Sequence, residues 1–114
     1  MLVSTSAEFA DYILDQLSPL GVILISRMFG GVLLKVDNKQ LGVVLDDVLY
    51  FKVKEPELQD RFSKMGSRQF TYTRKDKEEP VVIKNWWSVP EEMLEDTDAL
   101  IGLAYSVLLQ GSRS

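Results

Sequence analysis

The apolar and polar positions of this 114-residue chain change period several times, and each change marks an element. Phe9, Ile13, Leu17 and Leu20 recur at helical spacing with Ala10 and Leu14 beside them, while Asp11, Asp15 and Gln16 fall mostly on the other side. Thr5-Ser6-Ala7-Glu8 fits a capping box, and Pro19-Leu20-Gly21 ends the predicted helix. Residues 22–28 are rich in β-branched and apolar residues, and Gly30-Gly31 breaks them. Three more short strands follow at 32–36, 41–45 and 48–53, separated by Asp37-Asn38-Lys39 and Asp46-Asp47. Such brief connections suit only antiparallel neighbours, because a parallel crossover needs a dozen or more residues. In the last of these strands Leu49, Phe51 and Val53 share one face, and Tyr50 and Lys52 share the other.

Pro56 pre-sets a second helix, with Leu58, Phe62 and Met65 on one side and Gly66 as its stop. Residues 68–74 alternate again, with Phe70 and Tyr72 on one side, both expected in the core. The charged stretch 75–79 reads as a hairpin turn, and 81–87 as the returning strand. Ser88-Val89-Pro90-Glu91 fits a second capping box, opening a last helix with Leu100, Ala104, Val107 and Leu108 as its apolar stripe. The predicted order is α-β-β-β-β-α-β-β-α. Helices placed among antiparallel strands imply a two-layer α+β domain, with helices on one face of an antiparallel sheet. That domain takes up residues 1–110, and residues 111–114 read as a disordered tail. The sheet face carrying Tyr50 and Lys52 is left as the candidate working or dimer surface.

Composition narrows the chemistry. The chain has no cysteine and no histidine. Disulfides, thiolate catalysis and Cys-ligated zinc or iron–sulfur sites are therefore excluded. The commonest transition-metal ligand is missing too, along with the one side chain that ordinarily titrates near neutral pH. No enzyme activity, cofactor or metal is expected. Net charge is −4, so any nucleic-acid binding needs a local basic patch. The opening residues lack a basic segment followed by an apolar run, and no apolar stretch approaches the roughly 20 residues that span a bilayer. A cytoplasmic location without a membrane partner is the expectation.

Several segments, taken in order, resemble one family. Arg27-Met28-Phe29-Gly30-Gly31 is similar to its most recognisable stretch, and Leu49-Tyr50-Phe51-Lys52-Val53 to one of its strands. Phe70-Thr71-Tyr72, Val89-Pro90-Glu91-Glu92 and Leu94-Glu95-Asp96 follow colinearly, and the amphipathic last helix completes the set. The chain resembles the N-terminal domain of the TfoX competence regulators. That resemblance implies an α+β fold like that of secretion chaperones, often dimeric, with no enzyme activity. It also implies a link to regulation of competence for DNA uptake, where the full-length regulator acts with the transcription machinery. Full-length members add a second, helical C-terminal domain, whereas these residues match the N-terminal part.

Candidate residues divide into two groups. Arg27, Tyr50, Lys52 and Trp86 are candidates for contacting a protein partner, which includes a second copy of the chain. Arg27 sits beside a glycine pair that reads either as a recognition loop or, more simply, as a turn. Trp86 and Trp87 are adjacent on a strand and must point to opposite faces, so one of them belongs to the core. Arg68, Arg74, Lys75, Lys77 and Lys84 form the second group. Basic residues interleaved with Phe70 and Tyr72 suit single-stranded nucleic acid, although a solvated hairpin explains them as simply. Asp46-Asp47 and the acidic residues of 91–98 lack the spacing of a calcium loop and read as a turn and a helix start. The competing functions are a regulatory interaction module, a nucleic-acid binder and a small-ligand sensor.

Overall fold

The structure, a computed structural model, describes residues 7–28, 30–73 and 79–110. Its elements are α1 (Ala7–Gln16), β1 (Ile23–Met28), β2 (Gly31–Val36), β3 (Lys39–Leu45) and β4 (Val48–Lys52), then α2 (Pro56–Lys64), β5 (Gln69–Thr73), β6 (Pro80–Ser88), α3 (Glu91–Leu94) and α4 (Thr97–Leu108). The strands form one six-stranded sheet in the order β1-β2-β3-β4-β6-β5, antiparallel at every pairing. The α+β architecture expected from the hydrophobic pattern is therefore present.

Turn chemistry sets the register of the first four strands. Val36 pairs with Lys39 and Leu45 with Val48, so each hairpin turns through two residues. Asp37, Asn38, Asp46 and Asp47 all have positive φ, between 50° and 65°. Two consecutive positive φ values are the signature of a type I′ turn, whose twist matches that of the flanking strands. Asp and Asn tolerate this conformation better than other side chains. In the first hairpin Gly30, at φ 79°, takes the corresponding role.

One face of the sheet packs against the helices. Leu34, Val36, Leu41, Val44, Leu49 and Phe51 meet Ile13 and Leu17 from the α1 region, Leu58 and Phe62 of α2, and Leu100, Leu103, Ala104 and Val107 of α4 in a single core. Gln110, buried just beyond α4, ties that helix to the end of β4. Its Oε1 accepts from the N–H groups of Lys54 (2.6 Å) and Glu55 (2.9 Å), and its Nε2 donates to the carbonyls of Lys52 (2.8 Å) and Val107 (2.9 Å).

Several local expectations change. The box at residues 5–8 falls partly outside the described residues, as does the predicted tail at 111–114. Ser88 does not cap a helix. It ends β6, where its hydroxyl accepts from Arg68 N–H (2.9 Å), and Pro90 stands at the N-cap of α3 with no side-chain cap. The expected last helix is broken in two, and Asp96 caps its main part by accepting from Ala99 N–H (3.2 Å). Gln16 is half-buried rather than solvated, because its amide donates to Leu94 O and accepts from Thr97 Oγ1. Among the described residues no helix is long and apolar enough to cross a membrane.

Candidate functional site

Strand alternation decides which side chains face away from the helices. Val43 of β3 pairs with Tyr50 of β4, and Lys52 pairs with Trp86 of β6, so these residues share that outer face. Leu33 of β2 pairs with Val43 and joins them. Leu33, Val43 and Leu45 are buried there as a second, smaller cluster, with Tyr50, Phe70 and Trp86 packed over it. The outer face is therefore not a plain solvated surface.

Phe70 is the centre of an aromatic group. Tyr50 meets it edge-on at 5.2 Å between ring centroids, with planes at 75°. Tyr72 stacks near it at 6.0 Å and 26°, and Trp86 lies at 6.0 Å and 46°. These separations fall within the range where ring quadrupoles attract. The expectation that Phe70 and Tyr72 belong to the main core is corrected. An irregularity between Gln69 and Phe70 shifts the β5–β6 register, and both rings lie with Tyr50 on the outer face, Tyr72 exposed. Among the described residues, these four rings are the group that sequence spacing did not bring together. The signal available was β3, whose Leu41-Gly42-Val43-Val44-Leu45 run is apolar at every position and so implies burial on both faces.

Tyr50 is half-buried, and its phenol pKa is raised above 10, first by burial and then by the nearby Asp46 carboxylate. Lys52 is also half-buried and donates from Nζ to Gln40 Oε1 (2.6 Å). The tryptophans divide as strand geometry requires. Trp86 joins the aromatic group, whereas Trp87 packs on the main core and donates from Nε1 to Lys84 O (3.0 Å). Both remain half-buried.

Arg27 stands apart from this group. It is exposed on the edge strand β1 and pairs with Val32, whose side chain packs on the main core and not on the outer cluster. Of the glycine pair beside it, Gly30 lies in the β1–β2 turn and Gly31 opens β2 opposite Met28; Phe29 and the Met28 side chain are outside the described residues. Of the basic group, Arg68 and Lys84 are exposed at the β5–β6 end, while Arg74, Lys75 and Lys77 lie outside the described residues. Asp46 and Asp47 form the β3–β4 turn. Among the described residues, no three His, Cys, Asp or Glu side chains come together in a way that would hold a metal ion.

Chemically, the outer face offers aromatic surface with the Lys52 ammonium beside it. No curated protein matches the sequence. The TfoX N-terminal domain profile matches residues 15–110, nearly the whole chain. The elements it spans run from the end of α1 to Gln110 and include both sheet faces. The chain belongs to the TfoX N-terminal domain family.

Proposed function

We propose that this chain is a non-catalytic regulatory domain that binds a protein partner through the outer face of its sheet. The observation that carries this reading is the aromatic group of Tyr50, Phe70, Tyr72 and Trp86 on a face that no helix among the described residues covers. Tyrosine and tryptophan on such a surface are the residue types that anchor interfaces. Membership of the TfoX N-terminal domain family supports placing the partner in the regulation of competence, among proteins of the transcription machinery. A homodimer belongs to the same proposal. β1 is an edge strand with Leu24 and Ile25 each 55% exposed, and an edge strand offers unpaired backbone groups to another chain.

The test is capture from native lysate with the tagged domain and with its Tyr72→Ala and Lys52→Glu variants, each checked for an unchanged melting curve. A partner retained by the unaltered protein and lost with both variants supports the reading. Equal capture by all three overturns it for this surface. Nucleic acid is a second reading, because Phe70 and Tyr72 lie on the outer face and Arg68 and Lys84 are exposed near them. It requires recovery that collapses on nuclease treatment and binding that weakens steeply with salt.

A further inference from the structure

A cavity that shares Lys52 with the outer face carries a ligand-binding inference that does not rest on the aromatic group. Lys39 at the start of β3, Lys52 at the end of β4 and Lys54 just beyond it line an open cavity of about 260 Å³, together with Val107, Leu108 and Gln110 at the end of α4. We propose that this cavity binds a small phosphate-bearing anion.

Three features support the assignment. Among the described residues the ion pair formed is Asp60–Lys64, and no described carboxylate lies within 4 Å of these three ammonium groups. Like charges on neighbouring strands repel, and a chain with 17 acidic residues against 13 basic ones had ample means to neutralise them. A bound anion removes that repulsion. The donors are also available. Lys39 Nζ donates to Leu108 O (3.3 Å) and Lys52 Nζ to Gln40 Oε1 (2.6 Å), both neutral acceptors. An ammonium has three N–H donors, so each keeps some for a ligand. Finally, part of the lining is fixed, because Gln110 is held by four hydrogen bonds to backbone groups.

The class of anion follows from the residue type. Lysines are compact point charges without the planar fork that matches a carboxylate, and several of them around one cavity favour a multiply charged tetrahedral group. Completing the last carbonyls of α4 is the simpler structural role, since cations favour helix C-termini. That role accounts for Lys39, which reaches Leu108 O, but not for Lys52 or Lys54.

The experiment is a backbone-amide NMR titration of the whole chain with inorganic phosphate and with pyrophosphate, at constant ionic strength against chloride. Saturable shifts confined to Lys39, Gln40, Lys54 and the Gln110 side chain are expected, tighter for pyrophosphate. Lys39→Gln with Lys54→Gln should weaken binding tenfold or more, and Lys64→Gln should leave it unchanged. Lys54→Gln alone keeps the test valid if the double variant is perturbed, because the described structure gives the Lys54 ammonium no partner. Shifts that fail to saturate, that spread equally over distant lysines, or that persist at full strength in the Lys54→Gln variant overturn the proposal.

Discussion

Gly42 lies in β3 so close to β4 that a Cβ would overlap the carbonyl oxygen of Tyr50. Backbone cannot yield as a flexible side chain can, so Gly42→Ala should destabilise the domain by about 3 kcal/mol, the upper end of the usual overpacking cost, read by chemical denaturation. Gln110 works in the opposite sense, by supplying atoms. Gln110→Ala removes the acceptor for the Lys54 and Glu55 N–H groups and should cost about 1–3 kcal/mol. Tyr50 adds a pH dependence. Its pKa is raised in the fold, so the folded state holds the phenol proton more tightly than the unfolded chain does. The resulting stability is fully present below pH 10 and is lost as pH rises through the folded-state value. Denaturation midpoints between pH 9 and 11 should therefore fall more for the unaltered protein than for Tyr50→Phe, and equal slopes would contradict the assignment.

Among elements, the hairpins and the helix break show how local chemistry fixes structure. Asn38 sits at φ 65°, a conformation that a β-branched residue adopts only with strain. Asn38→Val should destabilise by about 1–2 kcal/mol while Asn38→Gly is tolerated, a contrast that thermal melting resolves. Turn residues of this kind are legible in a sequence because their preference is local. The division between α3 and α4 is less so. Both Ser88 and Asp96 have the chemistry of a cap, and which one caps depends on where β6 stops. Ser88 continues the β4–β6 pairing opposite Tyr50, so Asp96 becomes the cap. No local pattern contains that information.

At the scale of the whole molecule, the sheet separates two apolar clusters of unequal size. The larger, between sheet and helices, was legible from periodicity, since Ile13, Leu17, Phe51, Phe62 and Leu100 each fall on the predicted inner face. The smaller, capped by Tyr50, Phe70 and Trp86, was not. Its rings come from β4, β5 and β6, and only the β4–β6 pairing and the irregularity at Gln69–Phe70 bring them side by side. The lysine cavity has the same origin, since Lys39 and Lys54 approach only because β3 and β4 form a hairpin under the end of α4.

The sequence by itself determined the order of the strands and of the first two helices, the antiparallel hairpins, the inner face of β4 and the exclusion of thiol and imidazole chemistry. Each of these follows from residue type, a two-fold or 3.6-fold period, or the length of a connection. Tertiary structure alone decided that Phe70 and Tyr72 join Tyr50 on the outer face and that Trp86 rather than Trp87 stands with them. It also decided that three lysines share one cavity. Those facts depend on strand register and on which strands become neighbours, and a single residue of bulge reverses them without altering any local preference.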